Sequence, residues 1–533
     1  MGGGLPGMVA VAIATLALTS PAGPALAAKG TLVYCAESAP ESVNAQLTTS
    51  STSYDVTEHI FDRLVRYGRG TAVMEPGLAE RWEVSPDGRT YTFFLRPGVK
   101  FHSSRDFKPT RTLTADDVVF TIDRQWKKDH PFHAVAPVYP PFLNLRLGDL
   151  LERVEKVDDL TVRFVLRYPD AAFLDNLAHN SQGIHSAEHA EAMMKAGTPE
   201  RVDTQPIGTG SYQLVQYQKD TLLRLRVFPD HWEGPAPTQQ LVYVITPDPA
   251  VRQAKLQAGE CHIMSFPNLA DVPVLEADPN LTLMKTPLMS VGYLAFNTQK
   301  KPFDDVRVRR ALSMAVDRKA ILETIYQGYA VMANGPLPPG SWAHDPTLPD
   351  IPYDPEAAKA LLAEAGYPDG FETTLWAMPV QRPYNPNARR MAEMIQTDFA
   401  RIGVKVAITS YEWGEYLRRT RFGEHDMAQL GWSVLEPSSF MEDILGCASA
   451  VPGGGNVAKW CHPGYQDLMT RARRTNVEAE RAALYREGQR IFQSEAPWLP
   501  IAFPIAVTPM RNEVKDFRAS PYARHWFYGV TVE

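Results

Sequence analysis

Short runs of alternating apolar and polar residues mark strands along this chain. Tyr91, Phe93 and Leu95 point to one side of an extended segment, as do Leu160, Val162, Phe164 and Leu166, and further on Leu223, Leu225 and Val227. Other segments repeat apolar positions at the helical period between clear start and stop signals. In the stretch 354–366, Asp354 stands where a cap belongs, Pro355 fits the first helical position, and Gly366 ends the run. From about Asn387 to Ile402, the residues Met391, Met394, Ile395, Phe399 and Ile402 share one helical face. Gly403 stops that helix, and Val404, Val406 and Ile408 then alternate as a strand. A helix of similar build is predicted from Asp305 to about Tyr326.

Helices and strands intermix in both halves, which indicates α/β lobes rather than an all-α or all-β unit. No internal repeat is present. A chain of 533 residues can fill two or more large cores, and a ligand cleft between two lobes is the natural arrangement. The expected fold class is therefore α/β and bilobal. The N-terminus sets the compartment. Met8 to Leu18 is apolar but too short to span a bilayer, and Ser20 to Pro24 breaks it. Ala25-Leu26-Ala27-Ala28 then has the small-x-small form of a cleavage site. Export follows, with a signal peptide over 1–28 cut near Ala27 or Ala28, although no Lys or Arg precedes Lys29. Cys35 lies beyond that site, so a lipid anchor is not expected.

Composition narrows the class further. Apolar residues make up 44% and charged ones 22%, as in an ordinary globular protein. A net charge of −7 without a long basic run argues against nucleic acid or an anionic membrane surface as partner. The four cysteines, Cys35, Cys261, Cys447 and Cys461, lack C-x-x-C spacing, so zinc and redox readings are poor. Cys447 and Cys461 flank the Gly453-Gly454-Gly455 loop, which suits a local disulfide and leaves Cys35 and Cys261 for a long-range one. Four buried thiols are the alternative.

Several strings together resemble the peptide-binding family of ABC-transporter periplasmic solute-binding proteins. They are 77–102 (GLAERWEVSPDGRTYTFFLRPGVKFH), 107–120, Pro206 to Gly210, Val291 to Asn297, 376–390 and Tyr411 to Tyr416. The likeness covers nearly the whole mature chain, and the cysteine positions match a family member's two disulfides. The resemblance implies two lobes, the first discontinuous: 29–289 with an extra subdomain plus a C-terminal return at 508–533, and 290–507 as the second. It implies a monomer that closes on its ligand by hinge motion and delivers it to permease subunits in the inner membrane. It implies no catalytic residue, metal or cofactor. Family relatives also bind haem, glutathione, opines and nickel complexes, and a sensor would use the same fold, so fold alone does not fix the cargo.

A zwitterionic peptide needs a cation for its carboxylate, an anion for its ammonium and hydrogen bonds for its backbone, because either charge buried unpaired is costly. By the resemblance, Arg382 is the carboxylate-binding arginine, and its planar fork suits that task. Thr49, Ser50 and Ser51 resemble a loop that reaches the peptide main chain, although a plain capping turn reads equally well. Trp413 and Trp432 resemble aromatic walls, with ordinary core as the alternative. One departure stands out. Family peptide binders place an aspartate shortly after the second-lobe Gly-Trp to pair with the α-ammonium. Here 431–440 reads GWSVLEPSSF, two residues shorter and without that aspartate. Glu436 is the available substitute; otherwise the ligand lacks a free α-amine, carries it elsewhere, or is no peptide.

Other chemistries find little support. His185 and His189 have i,i+4 spacing, but Ser186-Ala187-Glu188 between them lacks the H-E-x-x-H order and reads as a helix start. With His130, His133 and His179 they are expected to be solvated surface residues. No nucleophile elbow, Walker loop or dinucleotide fingerprint occurs, so no enzyme is expected.

Overall fold

The strand Thr31–Ala36 is buried along its whole length and pairs in parallel with Gln240–Ile245 on one side and Ile263–Met264 on the other. Burial on both faces explains why it reads as a continuous apolar run with no alternation. The computed structural model describes residues 1–3, 30–71, 73–136, 138–433, 436–475, 477–522 and 524–533; the expected export segment, with its cleavage near Ala27 or Ala28, lies outside them. Antiparallel strands Leu222–Val227 and Tyr212–Gln218 extend the sheet on the Gln240–Ile245 side.

On the opposite side stands the long strand Trp498–Arg511, which belongs to two sheet regions at once. Its second half pairs with Leu281–Pro287 and meets Ile263, whereas its first half pairs with Ser290–Phe296. Beyond Ser290–Phe296 lie Met427–Ser433, Glu372–Trp376 and Lys405–Thr409. The result is a mixed α/β molecule of two lobes strung on one strand. The first lobe packs Leu32, Tyr34, Ile60, Leu223 and Leu225. The second packs Leu294, Phe296, Leu312, Ile395 and Phe399. A separate four-stranded antiparallel sheet, with Thr90–Leu95 and Thr161–Leu166 at its centre, buries Phe93, Leu95, Val162 and Phe164 against helix Ala115–Trp126.

Local signals acted as their chemistry predicts. Asp354 Oδ1 accepts from the Ala357 N–H at 2.9 Å and caps helix Pro355–Glu364. Asn387 caps Ala388–Arg401, and Gly403 ends it at φ +83°. The helix expected over Asp305–Tyr326 is broken instead. Val306–Ala315 stops at Val316, which is extended, and Asp317 starts a new turn by accepting from the Ala320 N–H at 2.9 Å. The buried Arg318 guanidinium then bonds the Ala333 and Pro500 carbonyls, which a continuous helix would not reach.

Both disulfides form, Cys35–Cys261 and Cys447–Cys461, with Cα separations of 5.9 and 4.4 Å. His185 and His189 correct the expectation of surface histidines: both are buried, with their rings 4.3 Å from Phe61 and 4.9 Å from Phe107 respectively. Among the described residues no helix is long and apolar enough to cross a membrane.

Candidate ligand-binding site

Two glycines facing each other across a strand pair prepare the site. Gly292 and Gly431 are register partners, and a Cβ on either would overlap Tyr384, its carbonyl oxygen at Gly292 and its ring at Gly431. Their bare backbone lets the turn Arg382–Asn385, closed by reciprocal backbone bonds, lie directly on the sheet. That turn presents Arg382 to a cavity of about 150 Å³ between the lobes.

Arg382 is buried, and its Nη1 donates to Glu37 of the first lobe at 3.0 Å and to the Gln381 carbonyl at 3.0 Å. Burial is the largest influence on the Glu37 carboxyl and would raise it, but the Arg382 charge together with hydrogen bonds from its own backbone, Thr52 and Ser265 holds the group below the ordinary carboxylate range. Among the described residues nothing bonds Arg382 Nε or Nη2, so one edge of the fork is left for an incoming acceptor. Trp413 stands beside it, 5.5 Å from the guanidinium, with a buried Nε1–H that has no acceptor. A buried donor left without an acceptor is uncommon in a folded protein, and both residues line the same cavity.

The first lobe contributes Thr49, Ser50 and Ser51 at the start of helix Ser51–Ile60. Ser50 occupies the cap position without using its hydroxyl as a cap. The first-turn N–H groups, with the positive end of the helix dipole, therefore stand at the cavity wall. Thr49 is already engaged, accepting from Arg421 Nη2 of the second lobe at 2.6 Å. Trp432 lines the cavity from strand Met427–Ser433, its carbonyl accepting from Ser290 Oγ at 2.9 Å.

Six of the seven residues singled out in the sequence thus meet at one cavity. Glu436 does not. Its Oε1 accepts from Arg481 and its Oε2 from the Ser438 N–H at 2.6 Å, which ties it into the first turn of its own helix. Sequence reasoning missed Tyr54, His179, Arg524 and Asp443, which also line the cavity. Arg524 lies over the Tyr54 ring at 5.2 Å, with no carboxylate in ion-pair range among the described residues, and burial lowers its pKa. Burial, with the charges of Arg524 and Arg63, holds His179 well below its ordinary value and thus neutral. The one trace of Asp443 in the sequence is ambiguous: Glu442-Asp443 sits between the apolar Met441 and Ile444, which suits a buried acid or an exposed edge equally.

Two α/β lobes that share a strand and enclose a cavity lined by both define a cleft-type binding protein. The chain matches the model for "Bacterial extracellular solute-binding proteins, family 5 Middle" over residues 73–451. It belongs to that family. It is 48% identical to the dipeptide-binding protein of Escherichia coli (strain K12) over 531 residues, 99% of this chain and 98% of that one. It is also 44% identical to heme-binding protein A of Haemophilus influenzae over 94% of this chain and 92% of that one. Among solved structures it resembles a dipeptide-binding protein from Pseudoalteromonas sp. SM9913 in complex with Met-Leu, at 36% identity and a TM-score of 0.91, covering 94% of this chain and 100% of that one.

Proposed function

We propose that this chain is the periplasmic substrate-binding component of an ABC importer. It captures a dipeptide or another small carboxylate-bearing, peptide-like solute by closing its lobes and delivers it, as a monomer, to inner-membrane permease subunits. In this reading residues 29–289 and 508–533 form one lobe and 290–507 the other. The observation that carries it is the open edge of the Arg382 guanidinium, presented to a cavity lined by both lobes and suited to a carboxylate. Ser50, Ser51 and the helix start behind them take the peptide backbone, and Trp432 forms a wall.

Cavity size favours the peptide over the haem that a similarly close relative carries by name. A space of about 150 Å³ corresponds to roughly five waters at ~30 Å³ each, the scale of a small dipeptide and far short of a porphyrin. The test is native mass spectrometry of the protein from periplasmic extract, followed by thermal shift against dipeptides and haem. A saturating dipeptide at a hundred times Kd stabilises the native state by about 2.7 kcal/mol. Haem co-purifying, with no dipeptide raising Tm, overturns the reading. Peptides recovered cleaved after incubation with the purified protein would instead make it a hydrolase.

A further inference from the structure

The second lobe holds an acid for which the site as described has no use. Asp443 sits on helix Pro437–Leu445, is 6% exposed, and lines the cavity. Among the described residues no donor lies within hydrogen-bond or ion-pair range of its carboxylate. Its oxygens are also absent from the buried polar atoms sealed off without a partner, so they open onto the cavity.

The surrounding charges explain why it is left over. Arg473, on helix Pro463–Arg474, bonds Asp170 at 2.6 Å and Glu442 at 2.8 Å. Arg146 lies 3.7 Å from Glu442 and 3.1 Å from Asp149. Asp170, Glu442 and Asp443 thus face Arg473 and Arg146, and both arginines are committed to the other acids. A buried carboxylate with no donor is unfavourable until a cation reaches it. Arg382 and Arg524 supply the cavity's positive charge, so one open acid completes a site complementary to a zwitterion.

We infer that Asp443 receives the protonated α-amine of the ligand, so that the preferred cargo is a dipeptide with a free amino terminus. This rests on the peptide-carrier reading above. The acid missing from the Gly431-Trp432 loop is thereby supplied by the helix that follows it, while Glu436 stays with Arg481. Burial pushes the Asp443 carboxyl well above its ordinary value; Arg473 and Arg146 oppose the rise, and Glu442 and Asp170 reinforce it. The empty site therefore favours the protonated acid. Docking of an ammonium group favours the carboxylate, and a proton so displaced passes to solvent.

Titration calorimetry with L-alanyl-L-alanine and with N-propionyl-L-alanine, the same molecule without its amine, tests this. The wild-type protein should prefer the dipeptide by about tenfold or more, the scale of one charge-assisted bond. In two buffers of different ionisation enthalpy it should release a proton with the dipeptide and none with the propionyl compound. Asp443→Asn should abolish the preference and the proton release, leave propionyl-alanine affinity within about twofold, and not lower the ligand-free Tm. Glu442→Gln should keep the preference ratio, which separates the two acids. A wild-type protein that binds both compounds equally, or an Asp443→Asn protein that keeps the preference, overturns the inference and leaves the carrier reading standing. Failure of both compounds to bind wild-type protein removes the peptide reading, and this inference with it.

Discussion

In the function proposed above Arg382 has two partners to satisfy, a ligand at its open edge and Glu37 behind it. Arg382→Ala should therefore abolish binding of carboxylate ligands and also destabilise the empty protein by roughly 3–5 kcal/mol, because Glu37 is left buried and unpaired. Adding Glu37→Gln should restore most of that stability in urea melts while binding stays lost. Recovery of binding in the double variant would show that Arg382 acts only through Glu37. A second residue tests pH dependence. Burial lowers the His102 pKa to about 4, against which its bond to the Gly210 carbonyl at 2.7 Å acts only weakly. The folded value lies below the unfolded one, so the neutral ring's contribution is full above about pH 6.5 and is lost as pH falls towards 4, at about 1.4 kcal/mol per unit. Comparing His102→Gln with wild type isolates this group from the many other titrating residues. The gap between their urea midpoints should shrink from pH 7 to pH 4; a constant gap would mean that His102 does not titrate in this window. At this scale the sequence was legible where motif strings carried Arg382 and Trp413, and where the Gly431-Trp432 pair marked the cavity wall. Asp443 was obscured because two acids inside an apolar helix read equally well as an exposed edge, and only the packed partners reveal which arginines are already taken.

Helices with an unambiguous cap and stop, such as Pro355–Glu364 and Ala388–Arg401, were readable to within a residue or two. The segment from Asp305 was not, because its apolar period runs on past Val316 while Asp317 offers a competing cap and Arg318 must turn inward. Strand Trp498–Arg511 likewise gives no local hint that it serves two lobes, since register with distant strands is a property of the whole sheet. The strand pair carrying Gly292 and Gly431 is an element whose glycines act on the site without touching the ligand. Gly431→Ala puts a methyl into the Tyr384 ring, so the Arg382 turn must lift. The expected effect is a loss of about 1–3 kcal/mol in stability together with weaker ligand binding. Structure determination of the variant should find Tyr384 displaced, and an unmoved turn with normal affinity would remove the glycine pair from the account of the site.

Among the described residues the lobes meet at Arg382 with Glu37, Arg421 with Thr49, Gln381 with Arg252 and Pro267, Arg146 with Glu442, and Arg473 with Asp170. The Arg473–Asp170 pair is the most enclosed, and the Arg473 carbonyl also accepts from the Ala171 N–H at 3.0 Å across the same interface. These bonds exist only when the lobes are together. Opening would return Arg473 and Asp170 to water, while closing without Arg473 would bury Asp170 without its cation. Under the proposed lobe closure, Arg473 is expected to bias the open–closed equilibrium without reaching the ligand. For a protein whose binding-competent state is partly populated, apparent affinity falls in proportion to that population. Arg473→Leu should accordingly weaken even N-propionyl-L-alanine, which has no amine to sense Asp443, by about tenfold or more. Small-angle scattering should find the variant more extended than wild type at the same subsaturating ligand concentration, and the two should converge once ligand saturates both. Equal propionyl-alanine affinities would mean that the Arg473–Asp170 contact is maintained at no net gain to the closed state, leaving Arg382 and Arg421 as the groups that hold the lobes together.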